Sequence, residues 1–298
     1  MATDLPAEND LLIESAGQAF RRRSLKNIGF MTGLAIVALV ASVAMLAPLL
    51  AGQDPYLQNF DQRLIPPFWH SDGTWAHPLG TDKFGRDYLS RIIYGSRISL
   101  LIGLFVMVIS GLIGSTLGVI AGYFGGKVDA VIMYIITVRL SMPVVLVALA
   151  VVSFVGSSLE VIVLVLGLFL WDRFAVVIRA ATKRLRGEDF VTAARCTGCP
   201  DSQIILREII PNLMNQLTVI ATLEMAQAIL LESALSFLGL GVQPPLPSWG
   251  LMIAEAKEFV FFDPWLITIP GVAIFLLVLG INLLGDGVRD LTAPEMKN

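Results

Sequence analysis

The chain has 298 residues, of which 55% are hydrophobic and 15% are charged, and its mean hydropathy is +0.75. Soluble domains carry about 25% charged residues, so this chain has too little polar surface for a water-soluble enzyme. The formal net charge of −3 excludes the basic surface that nucleic acid binding requires, and two cysteines are too few for a disulfide framework.

Apolar residues near the N-terminus recur at helical spacing and predict a cytoplasmic amphipathic segment, 1–28, that lies along the membrane surface. These residues are Leu11, Leu12, Ile13, Ala16 and Phe20. An uncharged stretch of 23 residues follows at 29–51. Because the apolar core of a cleaved signal peptide has about 7–15 residues, this stretch is predicted to be a retained transmembrane anchor.

Five more apolar stretches are long enough to cross a bilayer, which predicts an all-α fold with six transmembrane helices. Two of them, 98–122 and 265–284, contain no charged residue. Lipid would penalise each charge in the other three by ~2.5–3.5 kcal/mol, so we expect those side chains to face protein or a water-filled path. These stretches are 131–155 with Arg139, 161–178 with Asp172 and Arg173, and 213–240 with Glu224 and Glu232.

The distribution of basic residues predicts the orientation of the helices. With a cytoplasmic N-terminus, 13 of the 21 lysines and arginines lie in cytoplasmic segments and 6 lie outside, in agreement with the positive-inside rule. Six spans then return the C-terminal tail, 289–298, to the cytoplasm. The long loop 52–97 is predicted to be periplasmic.

Charged residues are concentrated at the end of the periplasmic loop. Its basic residues either contact an incoming anionic group or pair with Asp82 and Asp87 to anchor an interfacial helix, and we favour the pairing. They are Lys83, Arg86, Arg91 and Arg97. The loop also holds the two histidines, His70 and His77. Two imidazoles do not complete a metal site, so we expect no metal ligands here.

The segment 186–212 contains the signals of a helix, a break and a second helix. Phe190, Val191 and Ala194 recur at helical spacing, and Gly198 can end the first helix in the left-handed conformation. Pro200 suits the first turn of a second helix. Ile204, Ile205 and Ile209 form the apolar face of this helix, and we expect Pro211 to stop it. The small residues Ala193 and Ala194 leave a smooth surface on which another protein can dock.

One pattern in this segment resembles the EAA loop of ATP-binding-cassette importer permeases, and it consists of Ala193, Ala194, Gly198, Ile205, Pro211 and Asn212. Thr192 stands where many members have Glu, and Glu208 where many have His. Two longer stretches resemble the dipeptide, oligopeptide and nickel permeases within that family. They are GTDKFGRDYLSRIIYGSRISLLIGL at 80–104 and LLESALSFLGLGVQPPLPSWG at 230–250.

The resemblance implies a type I importer permease fold, with a five-helix core at 98–288 in the inner membrane of a bacterium. It implies a second, homologous permease subunit, two ATPase subunits that bind ATP and Mg, and a periplasmic or lipid-anchored solute-binding protein. The expected solute is a di- or oligopeptide, a nickel complex or glutathione. The residues expected to couple to the ATPases are Phe190, Val191, Ala193, Ala194, Arg195, Gly198, Pro200, Ile205 and Pro211.

The residues predict no catalytic or cofactor site in this chain itself. GYFGGKVD at 122–129 lacks the Gly-Lys-Ser/Thr ending of a phosphate-binding loop and is predicted to be a tight turn. Cys196 and Cys199 have no further cysteine or nearby histidine to complete a zinc site, so we expect them to fill a turn of the docking helix.

The intramembrane charges have two interpretations. Arg139, Glu224 and Glu232 are candidates for the translocation path, and the alternative is that they form interhelical ties to the companion permease. A self-contained secondary transporter is the alternative function, because Pro143 leaves room for a broken helix. A membrane-embedded enzyme is disfavoured, since no nucleophile and base lie at suitable spacing on any span.

Overall fold

The computed structural model describes residues 23–292, and this part of the chain is almost entirely helical. The predicted amphipathic residues from Leu11 to Phe20 lie outside the described residues, as does the end of the tail. The helices are α1 (Ile28–Met45), α2 (Ala47–Leu50), α3 (Tyr88–Phe124), α4 (Gly126–Leu140), α5 (Val144–Val155), α6 (Leu159–Phe169), α7 (Trp171–Arg186), α8 (Asp189–Cys196), α9 (Asp201–Ile204), α10 (Ile210–Phe237), α11 (Trp249–Ala256) and α12 (Trp265–Thr292).

Five helical stretches within the described residues are long and apolar enough to cross a membrane, and a bent pair supplies a sixth. The bent pair consists of α4 and α5, which meet at an angle of 80°. Pro143 lies at this break, and it both lacks an N–H and disfavours helical geometry at Met142. The predicted third span, 131–155, is therefore two short helices rather than one straight one.

Helix α3 begins ten residues before the predicted span at 98–122. Asp87 is the cause, because its side chain accepts a hydrogen bond from the backbone N–H of Ser90 at 2.8 Å and so caps the helix. The end of the predicted periplasmic loop is thus helical. Trp249 of α11 packs against this extension and donates from its ring nitrogen to the Ile92 carbonyl at 2.9 Å.

Helices α3 and α7 approach each other closely along three glycines spaced four residues apart. A Cβ at Gly118 would lie 2.8 Å from the Ala175 carbonyl oxygen, and one at Gly122 would lie 2.6 Å from Cβ of Thr182. At Gly114 an added Cβ would collide with the Trp171 carbonyl oxygen. Small residues at this spacing let the backbones of two membrane helices come into contact.

The predicted tight turn at 122–129 is present between α3 and α4. Gly125 and Gly126 both have positive φ, of 67° and 52°, and together they reverse the chain. Just beyond the turn, Asp129 accepts hydrogen bonds from Arg179 at 2.8 Å and Lys183 at 2.7 Å. These contacts tie the start of α4 to α7.

Candidate functional site

Helix α8 forms the first part of the 186–212 segment, and it ends as the sequence predicts. Gly198 adopts a φ of +80°, and its N–H donates to the Arg195 carbonyl at 2.9 Å. The N–H of Cys199 donates to the Ala194 carbonyl at 3.1 Å. These two bonds form a Schellman motif, which fixes the direction in which the chain leaves the helix.

The inner face of α8 is anchored in an apolar cluster at the ends of the membrane helices. Val191 is fully buried, and Ala194, three residues on, is half-buried against the same cluster. The other buried members come from α3, α7 and the start of the Asp201–Phe237 span, and they are Val119, Tyr123, Ile178, Leu185, Ile204, Ile209 and Leu213. Burial of this face holds α8 in one position relative to the bundle.

Polar contacts reinforce the anchoring of the segment at Tyr123, near the end of α3. The Tyr123 hydroxyl donates to Oδ1 of Asp201 at 2.6 Å. The guanidinium carbon of Arg195 lies 5.2 Å from the centre of the Tyr123 ring, within range of a cation–π contact. One tyrosine therefore contacts both parts of the segment, before and after the break at Gly198.

The second helix of the segment does not stop at Pro211, so that prediction is wrong. A π-helical turn at Ile205–Ile209 leads directly into α10, and the whole of Asp201–Phe237 is one helical span. A regular α-helix would bring the proline ring against a carbonyl of the preceding turn. The wider turn, in which the Ile210 N–H donates to the Ile205 carbonyl, accommodates the proline without breaking the helix.

The outer face of α8 is exposed and consists of small side chains. With 100° per residue, Thr192, Ala193 and Cys196 lie opposite Val191 and Ala194, and all three are exposed. Of the other predicted coupling residues, Phe190, Arg195, Gly198, Pro200 and Pro211 are exposed and Ile205 is half-buried. Eight of the nine predicted residues are therefore exposed or half-buried, whereas Val191 is buried against the bundle.

The two cysteines occupy different environments. Cys196 is exposed on the outer face of α8, whereas Cys199 is half-buried, and both are free thiols. Sγ of Cys199 lies 3.6 Å from the Thr197 hydroxyl. Cys199 therefore helps to fill the turn, and Cys196 lies on the exposed surface.

The intramembrane charges form two pairs that join three spans. Arg173 of α7 donates to Glu224 of α10 at 3.3 Å. Asp172 of α7 lies 3.8 Å from Arg139 of α4. Glu224 is fully buried, so it lies within the helix bundle and away from lipid. Arg139 and Glu224 therefore belong to the same neutral group of four charges.

Glu232 lies apart from these charges. Its carboxylate is buried, and it accepts hydrogen bonds from Ser236 at 2.8 Å and from Ser248 at 3.0 Å. The Ser248 hydroxyl in turn caps α11 by accepting from the Leu251 N–H at 3.1 Å. These contacts connect α10 to α11.

A buried ionic cluster connects the 52–97 loop to α11 at the opposite end of α3 from Tyr123. Arg86 donates to Asp82 at 2.6 Å and to Glu255 at 2.9 Å. Arg91 pairs with Asp82 and lies 2.9 Å from Glu255. Burial by itself would raise the pKa of Asp82, but the Arg91 and Arg86 guanidinium groups and two backbone N–H donors together hold that pKa below its usual range.

The predicted pairing of the loop charges is thus confirmed for Arg86 and Arg91 with Asp82. Asp87 instead contacts Nδ1 of His77 at 3.0 Å. The Lys83 ammonium and the Arg97 guanidinium lie over the rings of Phe84 and Tyr94, and neither pairs with a carboxylate of residues 23–292. Across residues 23–292, no group of three or more histidine, cysteine or acidic side chains is placed to hold a metal ion.

Glu255 is a member of the ionic cluster that the sequence did not reveal. It is separated from Arg91 by more than 160 residues, and it lies in a stretch, MIAEAKEF, with no distinctive spacing. Its role follows from the burial of Arg86 and Arg91, since two buried arginines beside Asp82 require a second carboxylate and an unpaired buried charge is strongly unfavourable.

Comparisons with known proteins agree with this architecture. A family described as "Binding-protein-dependent transport system inner membrane component" matches residues 114–298, and "N-terminal TM domain of oligopeptide transport permease C" matches residues 15–67. The chain is 39% identical over 272 residues to the dipeptide transport system permease protein DppC of Haemophilus influenzae, covering 91% of this chain and 92% of the relative.

A second relative is the glutathione transport system permease protein GsiD of Pectobacterium atrosepticum. It is 36% identical over 299 residues, covering 100% of this chain and 97% of the relative. Among solved structures, the inward-facing methionine ABC transporter MetNI gives a TM-score of 0.57 at 16% identity, covering 69% of this chain and 98% of that chain. At this identity the likeness concerns the fold.

Proposed function

This chain belongs to the family of inner membrane components of binding-protein-dependent transport systems, and we propose that the solute it carries is a di- or oligopeptide. It is the permease subunit of an ATP-binding-cassette importer, and a self-contained secondary transporter is not favoured. The relative with 39% identity over almost the whole chain, a dipeptide permease, is the observation that carries the assignment of a peptide. Glutathione, itself a tripeptide, is the second candidate, because the second relative is a glutathione permease.

The assembly follows from this assignment. We propose that a second, homologous permease completes the pore, that two ATPase subunits bind ATP and Mg on the cytoplasmic side, and that a solute-binding protein delivers the peptide from the periplasm. Both termini are then cytoplasmic. The 186–212 segment lies on the ATPase side, and the 52–97 loop and α11 lie on the side of the solute-binding protein.

The exposed face of α8 is the proposed contact with an ATPase. Its small side chains, Thr192, Ala193 and Cys196, allow close approach of a groove wall, while Val191 and Tyr123 hold the opposite side of the segment to the bundle. A force applied to this face is therefore passed to the membrane helices instead of being absorbed by a loose loop.

The unbroken helix from Asp201 to Phe237 supplies the lever. Glu224 lies 23 residues after Asp201, or about 35 Å along a helix axis at 1.5 Å per residue. A tilt of the segment therefore displaces Glu224 and its partner Arg173 with it. ATP binding can shift the equilibrium between the two states of the pore only through contacts that differ between those states. This helix connects the contacts with the ATPase to the translocation path.

Among the path candidates, Glu224 and Arg139 fit the role better than Glu232. The first two belong to pairs that link α4, α7 and α10 within the bundle. Glu232 is enclosed by two serines and supports a structural role at the joint with α11.

Reconstitution of the complete importer in proteoliposomes tests the proposal. The expected result is uptake of a radiolabelled dipeptide that requires ATP inside the vesicle and the solute-binding protein outside. ATP-driven uptake of glutathione with no uptake of dipeptides would replace the assigned solute. Uptake driven by an ion gradient, with this chain alone and no ATP, would overturn the proposal as a whole.

A further inference from the structure

Arg173 lies near the middle of a candidate membrane span, Leu159–Arg186, and it is far more exposed than the charges around it. Its side chain is 57% exposed, compared with 1% for Glu224. The Asp172 and Arg139 side chains are 6% and 11% exposed. Because a guanidinium at this depth is strongly disfavoured by lipid, this part of the surface faces water or another protein surface.

The contact between Arg173 and Glu224 leaves hydrogen-bonding groups of both side chains unused. Nη1 of Arg173 makes the one hydrogen bond of this guanidinium to the described residues, to Oε1 of Glu224. A guanidinium has five N–H donors and binds a carboxylate through two of them in parallel. The second oxygen of Glu224, Oε2, is buried and has no hydrogen-bond partner among residues 23–292.

A partly polar cavity of 430 Å³ begins one helical turn from this pair. Its wall includes Val177, four residues after Arg173, and Leu223, which precedes Glu224. Asn215, Gln216 and Arg289 supply its polar lining. Oδ1 of Asn215 is buried without a hydrogen-bond partner in the described part of the chain. Amide side chains offer the donors and acceptors that a peptide backbone needs.

These observations point to a ligand with a carboxylate and amide groups. Resting on the proposed function as a peptide importer, we propose that Arg173 is a specificity-determining residue that binds the C-terminal carboxylate of the peptide in the translocation path. The cavity beside Val177 and Leu223 receives the adjoining peptide backbone. When the path is empty, Glu224 holds the guanidinium in position, and the solute carboxylate adds as a second partner.

The test compares two probes, dialanine and dialanine amide, in the reconstituted complete importer. Each is supplied at a concentration that saturates the solute-binding protein, and the same binding protein is used for every variant, so its own preference cancels in the comparison. The variants are Arg173→Gln and Arg173→Lys. Arg184→Gln is the matched control, because Arg184 is an exposed arginine on the same helix, outside the cavity lining and the ion pairs.

The expected result is a loss of about tenfold or more in dialanine uptake with Arg173→Gln, because a charge-assisted pair is removed, and a change of less than about twofold for dialanine amide. Arg173→Lys restores part of the difference, since it keeps the charge and loses the paired geometry. Arg184→Gln leaves both rates unchanged.

Four outcomes would overturn the proposal. An equal loss for both probes would assign Arg173 a structural role, and unchanged uptake of both would remove it from the path. Loss of the companion permease from the purified Arg173→Gln complex would place it at the subunit interface. If the wild-type importer takes up neither probe with ATP, the peptide assignment itself fails and this inference falls with it.

Discussion

Truncation of Val191 to alanine tests whether the 186–212 segment is held to the membrane helices by its own apolar face. Val191 is fully buried in the cluster that includes Leu185, Ile204 and Ile209. The change removes two methyl groups, at about 0.8 kcal/mol each, and the remaining cavity adds a similar amount, for about 2–3 kcal/mol in total. If this free energy holds α8 in place, the ratio of docked to undocked α8 falls about 30- to 150-fold.

Hydrogen exchange of the complete importer, followed by mass spectrometry of peptides from 186–200, measures this ratio. The expected result is faster exchange of the α8 amides by the same factor, with unchanged exchange in the membrane helices. Thr192→Ala is the matched control, because Thr192 is the exposed neighbour of Val191, and substitutions at such positions stay within about 0.5 kcal/mol.

The same variant is expected to hydrolyse ATP while it transports less solute for each ATP. A loosely held segment can still dock on an ATPase, but it passes less of the displacement to the Asp201–Phe237 helix. Exchange in Val191→Ala that matches Thr192→Ala would show that the apolar face does not hold the segment. An unchanged ratio of uptake to hydrolysis would refute the transmission argument.

Three further outcomes are expected at other positions. Gly114→Leu prevents close packing of α3 on α7 and abolishes the cooperative thermal transition in detergent. Gly271→Ala, at a site with open space, leaves that transition unchanged. Equal melting temperatures for the two variants would contradict this packing. Arg91→Met leaves the carboxylates of Asp82 and Glu255 with one arginine, Arg86, so one buried negative charge is uncompensated and the free energy of unfolding falls by about 3–5 kcal/mol at neutral pH. Because the pKa of Asp82 is depressed in the folded state, the cluster stabilises the protein fully above the unfolded pKa of about 4. This stabilisation is lost as the pH falls through the folded pKa. A difference in stability between Arg91→Met and wild type that does not depend on pH would contradict this. Glu232→Ala lowers the melting temperature because two buried serines lose their acceptor, whereas Glu232→Gln stays near wild type; equal effects of the two variants would count against the structural role.

The sequence predicted the helices and the break in the 186–212 segment because those features depend on local signals. Uncharged stretches of bilayer length predicted the spans, and the left-handed conformation at Gly198 followed from its position after a helical pattern. Pairing of Arg86 and Arg91 with Asp82 followed from their proximity in the chain.

Other features depend on tertiary contacts that no local pattern records. Pro211 was expected to end a helix, and only the π-helical turn before it explains why the helix continues. Gly114, Gly118 and Gly122 have the spacing of a helix-contact motif, but that motif alone does not identify the partner helix. Glu255 joins the ionic cluster from a distant part of the chain, and Arg173 differs from its neighbours in exposure rather than in type.

Ala193 and Cys196 are better positions than Ala194 and Gly198 for a test of docking. Ala194 is half-buried against the bundle, and any side chain at Gly198 would be strained at a φ of +80°, so bulky replacements there would disturb the segment itself. Ala193 and Cys196 lie on the exposed face and leave the anchoring contacts intact.

The proposed contact between α8 and an ATPase is tested most directly by cross-linking from Cys196 in the complete importer. A short thiol-reactive reagent is used, and Cys199→Ser removes the second thiol. The predicted result is a cross-link to an ATPase subunit. In Ala193→Trp, the cross-link and solute uptake are predicted to be lost while ATP hydrolysis continues. A Cys196 thiol that reacts freely with solvent reagents in the complete importer, and normal uptake by Ala193→Trp, would contradict the account.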